Sequence, residues 1–145
     1  MKGVKSVFSF FFLGALFSGM FYGIIHQGNW FTLPRNSFND WLLLLVLYPI
    51  LSVIPQELIF RTYFFHRYKR IMPKKAVRIV VSASVFALAH IVYANWIAVA
   101  LAFLGGLLFA YTYAQSRSTV VCVIEHSLWG LWMFTLGIGS YLDSG

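Results

Sequence analysis

The sequence predicts an all-α protein, a polytopic membrane bundle of about five transmembrane helices forming a single integral membrane domain over residues 1–145. Three observations carry this reading. Hydrophobic residues make up 60% of the 145 and charged residues only 10%, with a mean hydropathy of +0.77, whereas a soluble domain carries roughly 25% charged residues. Five segments stay apolar for about the 20 residues that a bilayer core requires. Nine of the eleven Lys and Arg residues lie in three short segments beside these runs: Lys2 and Lys5, Arg67 to Arg78, and Arg117. That placement follows the positive-inside pattern, so the net charge of +7 marks membrane orientation and not nucleic-acid binding. The single cysteine, Cys122, excludes an intrachain disulfide and a Cys-rich metal site.

The first span is expected at Ser6–Ile25. Its apolar run is longer than the core of a signal peptide and has no clear A-x-A site, so it reads as a retained helix. The second, Trp41–Phe65, is long and contains Pro49 and Pro55, which should kink it. The loop after it, "HRYKRIMPKKAVR", holds Arg67, Lys69, Arg70, Lys74, Lys75 and Arg78 and is expected to face the cytoplasm. The third span is expected at Val77–Tyr93, the fourth at Trp96–Ala114 and the fifth at Thr119–Leu142. Counting spans from the basic loop puts the N-terminus inside and the C-terminus, with Asp143, outside.

Ala94, Ala98, Ala102, Gly106, Ala110 and Ala114 recur at a spacing of four. On a helix they form one small-residue stripe that lets a neighbouring backbone approach. Ala15, Gly19 and Gly23 do the same in the first span. Both are expected to be packing faces.

Few ionisable groups fall inside the spans: Glu57 and Arg61 in the second, His90 in the third, Glu125 and His126 in the fifth. Such groups are costly in lipid and are functional candidates by default. At about 1.5 Å per helical residue, Glu57 lies about 13 Å, His126 about 10 Å and His90 about 20 Å from the same membrane side. The three depths are close enough for one shared cavity. A carboxylate beside two imidazoles is a set that can activate water: Glu57 as the base, one histidine holding the water, the other stabilising an oxyanion. Arg61 is four residues from Glu57, on the same helical face, and can hold it ionised. No cofactor is expected. Zinc on His90, His126 and Glu57 is the alternative, with no H-E-x-x-H helix to support it.

At these residues the chain resembles the CPBP family of intramembrane proteases, which includes type II CAAX prenyl endopeptidases and bacterial Abi proteins. "QELIFR" (Gln56–Arg61) resembles E-E-x-x-x-R, "FALAH" (Phe86–His90) matches F-x-x-x-H, and "HSLWG" (His126–Gly130) resembles H-x-x-x-N/D. The ordered trio covers a core of about residues 41–142. The resemblance implies a helical bundle and glutamate-type peptide hydrolysis within the membrane, with Glu57, His90 and His126 catalytic. Gln56, Arg61, Phe86, Glu125 and Trp129 are the supporting residues. It departs from the family at two positions. Gln56 stands at the first glutamate of the motif, so the base role passes to Glu57 or to Glu125. Gly130 stands where the family has Asn or Asp, so His126 needs another oxyanion partner, for which Trp129 or a backbone group is available.

The expected function is an intramembrane endopeptidase of a bacterial inner membrane, acting on a membrane-anchored peptide or protein with the lipid bilayer as its other partner. Two rivals stand beside it: a catalytically inactive family member serving as a membrane scaffold, and a small transporter with a proton path through Glu57, His90 and Glu125.

Overall fold

The structure, a computed structural model, describes residues 3–26 and 29–138. The described residues are helical throughout their ordered elements, with no strand among them. Five helices are long and apolar enough to cross a membrane: Val4–Ile25, Phe38–Arg67, Lys75–Tyr93, Trp96–Ser116 and Thr119–Leu136. They are called spans one to five below. Phe12, Leu13, Leu16 and Phe17 of span one are all largely exposed, as lipid-facing side chains are in a bundle whose backbone polar groups are satisfied inside its helices. This is an integral membrane protein.

Span two departs most from a regular helix. Its α-helical turns at Phe38–Leu47, Ile54–Glu57 and Phe64–Arg67 alternate with π-helical segments at Tyr48–Val53 and Leu58–Tyr63. The N–H of Ile54 reaches back five residues to the carbonyl of Pro49, and that of Phe64 to Ile59. Proline lacks an N–H and its ring crowds the preceding turn, and widening the helix is one way to relieve that. The first wide turn, between Pro49 and Pro55, is where these prolines act, while the second, Leu58–Tyr63, contains no proline; together they bracket Gln56 and Glu57. The span also runs from Phe38 to Arg67, longer at both ends than Trp41–Phe65.

Spans three and four form the most closely packed pair. Ala83 and Ala110 are fully buried, Ala98, Ala102 and Ala114 nearly so. A Cβ on Gly106 would lie only 3.0 Å from the Ala83 Cα, so the small-residue stripe is a packing face as expected. Ala94 is the exception. It sits at φ 51° in the turn before span four and is exposed, because span four begins only at Trp96. There the Asn95 side chain caps the helix, accepting from the N–H groups of Ile97 at 2.9 Å and Ala98 at 3.4 Å.

Span one packs on span five through glycine-to-tryptophan contacts. Gly14 lies against Trp129, and a Cβ on Gly19 would be 3.1 Å from Trp132. Trp132 Nε1 donates to Ser18 Oγ at 3.0 Å. The helix of span five ends at Leu136, where Gly137 takes φ 104°, a left-handed conformation that glycine adopts without steric cost. That is earlier than the expected end at Leu142. Leu142 and Asp143, like Lys2, lie outside the described residues.

Candidate active site

The widened turns of span two set the direction of two neighbouring side chains. Gln56 Nε2 donates to Ser52 Oγ at 2.8 Å, one turn back along its own span, and the residue is only half-buried. Glu57 is fully buried and turns to span five, where its Oε1 accepts from His126 Nδ1 at 2.8 Å. Its other oxygen lies 3.3 Å from Arg61 Nε, an ion pair one helical turn away with both side chains fully buried.

The remaining donors of Arg61 find no acceptor among the described residues. Its guanidinium carbon instead lies 4.4 Å from the centroid of the Phe86 ring and 5.6 Å from that of Phe109. A desolvated cation over an aromatic face is stabilised by about 2 kcal/mol, which helps to offset removing that charge from water. The pair thus lies inside an aromatic box.

Phe86 is the hub. Its ring touches Arg61, lies edge-on to His126 with centroids 5.6 Å apart, and leans against His90 at 4.7 Å. Phe109 stacks on His126, 4.4 Å away and 19° from parallel. His90 opens the short 3-10 turn His90–Tyr93 at the end of span three, and its Nδ1 faces the Phe86 carbonyl at 2.8 Å. That carbonyl only accepts, so Nδ1 carries the proton and Nε2 presents a lone pair. His90 is within electrostatic range of both His126 and Arg61.

The same argument fixes His126. Nδ1 donates to the Glu57 carboxylate, which leaves Nε2 as an acceptor. The group facing it is one that sequence reasoning missed: Tyr48 Oη, 3.4 Å from Nε2. Tyr48 lies one residue before Pro49 in the first wide turn. A phenol inside an apolar run was the available signal. Phe109, the other missed member, carried only the signal of an aromatic next to the small-residue stripe.

Gly130 makes room for Tyr48. A Cβ at that position would collide with the Tyr48 hydroxyl and ring edge. Trp129 packs elsewhere: its indole meets Phe11 edge-on at 5.3 Å and Phe10 at 6.1 Å on span one. Glu125 is fully buried in span five beside His126. Among the described residues no three His, Cys, Asp or Glu side chains form a group that could hold a metal ion, the set Glu57, His90 and His126 included.

The structure thus brings together Glu57, Arg61, Phe86, His90 and His126, drawn from spans two, three and five. A carboxylate hydrogen-bonded to an imidazole, with that imidazole's second nitrogen facing a hydroxyl, is an arrangement that can take a proton from water and return it to a leaving group. Comparison with known proteins adds one match and two blanks. No curated protein and no solved structure matches the chain. The family model described as type II CAAX prenyl endopeptidase Rce1-like matches residues 38–132, a stretch that holds every member of this cluster. With most of its length matched and the three motifs in order, the chain belongs to the Rce1-like family of type II CAAX prenyl endopeptidases.

Proposed function

We propose that this protein is an intramembrane endopeptidase that hydrolyses a peptide bond in a membrane-anchored peptide or protein, with Glu57 and His126 acting as one unit. The observation that carries the reading is the 2.8 Å hydrogen bond between Glu57 and His126 inside a buried site. Both carboxylate oxygens of Glu57 are engaged, one by His126 and one by Arg61. Glu57 therefore acts through the imidazole: the water proton passes to His126 Nε2, and the adjacent carboxylate stabilises the imidazolium that forms. The water oxygen adds to the scissile carbonyl carbon. The imidazolium then gives its proton to the departing amine as the C–N bond breaks, which leaves an acid and an amine. His90 Nε2 holds the water by accepting its second proton as a hydrogen bond. Tyr48 Oη donates to the developing oxyanion, the role that the family motif assigns to the side chain at position 130. Arg61 holds Glu57 in place through their ion pair. No cofactor enters this scheme.

The protein sits in a bacterial plasma membrane with its basic loop and N-terminus on the cytoplasmic side. The scissile bond is then reached in the half of the bilayer nearer the cytoplasm.

The second reading, a scaffold that keeps the fold without catalysis, draws on Gln56, an amide at the first motif position that bonds to Ser52. The two readings separate in cells. Membrane-protein termini are compared in hosts carrying the wild type, Glu57→Gln, His90→Ala or Gln56→Ala at equal protein levels. Proteolysis through Glu57 yields a new terminus with the wild type and Gln56→Ala that is missing in the other two. Identical termini in all four, with normal expression, would move the scaffold reading ahead.

A further inference from the structure

We propose that the end of the bundle that carries the basic loop holds a binding site for a phosphate group, such as that of an anionic lipid, separate from the hydrolytic cluster. A cavity of about 170 Å³ opens there between spans two, three and four. Five basic side chains line it: His66, Lys69, Lys75, Arg78 and Arg117. No acidic side chain lines it among the described residues. Of the chain's four acids, Glu57 and Glu125 are buried inside the spans and Asp40 begins span two. Positive-inside orientation requires cations near this end, but it does not require them to converge on one concavity.

Arg78 gives the site its built character. It is only 7% exposed, and its Nη1 donates to the carbonyls of Met72 and Pro73. The guanidinium carbon lies 5.9 Å from the Phe65 ring centroid. These contacts fix the group at the cavity wall, while its Nε is buried with no partner in the protein. A guanidinium fixed at the wall beside four further basic groups is what a phosphate oxygen requires.

Arg117 supplies a second, independent observation. It takes φ 52°, with its N–H bonded to the Tyr113 carbonyl at 2.8 Å. Glycine is the usual residue at such a helix end because other side chains are disfavoured there. An arginine is held in that conformation, and its side chain lines the cavity.

The apolar part of the wall points to an amphiphile. Phe65 and Tyr113 pack with ring centroids 5.1 Å apart, and Ala114 lies beside them. A lipid phosphate can sit among the cations while its glycerol and first methylenes follow these side chains into the bilayer. Basic pockets between helices at a membrane surface recognise headgroups in this way. The cavity has several times the roughly 30 Å³ that a water molecule occupies.

The test is native mass spectrometry of the purified full chain released from detergent micelles with phosphatidylglycerol, phosphatidylcholine or inorganic phosphate. The wild type is expected to retain phosphatidylglycerol in preference to phosphatidylcholine. Lys75→Gln/Arg117→Gln, two exposed positions whose loss spares the core, should weaken that retention by about fivefold for each cation removed. Arg78→Gln should weaken it further, and the double variant keeps the test valid if that protein does not fold. Binding of inorganic phosphate without phosphatidylglycerol preference supports the same site with a soluble ligand as its source. Equal retention of both lipids with no binding of inorganic phosphate, or a preference that the double variant leaves unchanged, overturns the proposal.

Discussion

The Tyr48 hydroxyl stands where a side chain at position 130 would begin. A Cβ on Gly130 would run into Tyr48 Oη, Cζ and Cε1, and that same oxygen lies 3.4 Å from His126 Nε2. In the mechanism proposed above, span two thereby delivers the polar group that span five does not carry at position 130.

Tyr48→Phe tests the hydroxyl alone. The ring remains, so the fold should be unchanged within the error of thermal unfolding in detergent. Turnover should fall by about a hundredfold, as when one oxyanion donor is removed. Full turnover by the phenylalanine variant would remove Tyr48 from the chemistry.

Gly130→Ala tests the same pair from the other side. The new methyl group displaces the Tyr48 ring, and overpacking of this kind costs about 1–3 kcal/mol. The expected result is a lower unfolding midpoint together with the activity loss of Tyr48→Phe. An alanine variant with the wild-type midpoint and activity would mean that the ring has somewhere else to go.

The Glu57–Arg61 pair should show strong coupling. Glu57→Gln leaves a fully buried guanidinium without its counter-charge, and breaking such a pair costs about 3–5 kcal/mol. Removing both charges in Glu57→Gln/Arg61→Met should recover most of that stability while activity stays lost. Unfolding of the two single variants and the double variant completes the cycle. Additive losses would show that the 3.3 Å approach of Glu57 and Arg61 carries no energetic coupling.

Much of this architecture could be read from the sequence, because lipid leaves so few choices. Five apolar runs, the charge clusters and the spacing-four stripe each follow from requirements that act locally. The cluster's membership was legible for the same reason: Glu57, Arg61, His90 and His126 are conspicuous in a chain so poor in charge. Glu57 was also the carboxylate expected there, but what turns it and not Gln56 to span five was not legible, because a helix of regular pitch does not decide between neighbours. The wide turns on either side of that pair decide it, and only the first of them adjoins Pro49 and Pro55. Tyr48 offered only a phenol inside an apolar run, and its role could not be read from that. Its importance depends on the absence of a side chain at Gly130, 82 positions later in the sequence. Ala94 shows the reverse error: the spacing continued past the point where the helix begins.

A second packing prediction concerns the wide turn that carries Arg61. Ser82 Oγ in span three donates to the Phe60 carbonyl at 2.7 Å, and Ser82 is fully buried. Ser82→Ala leaves that carbonyl without this donor, at a cost of about 1 kcal/mol in a membrane bundle. The measurement is the unfolding midpoint of Ser82→Ala against Ser82→Thr, which keeps the hydroxyl. Equal midpoints would mean that the wide turn holds its shape without span three.

Gly106 links the packing face to the site. A Cβ there would meet not only the Ala83 Cα at 3.0 Å but also Phe86 Cδ1 at 3.2 Å. The first is backbone and can yield only if span four moves away from span three. The second belongs to the ring that touches Arg61, His90 and His126. Gly106→Val should therefore act twice, costing about 1–3 kcal/mol through overpacking and turning Phe86 out of contact with the cluster. The variant should still insert, because its helix remains long and apolar, and the defect should show as lost turnover in membranes that hold normal amounts of protein. Gly3→Ala, where a Cβ would meet nothing within 4 Å, is the control and should behave as wild type. Normal turnover by Gly106→Val would show that Phe86 keeps its place by its contacts with the histidines and Arg61 alone, and that the close approach of spans three and four serves stability without reaching the site.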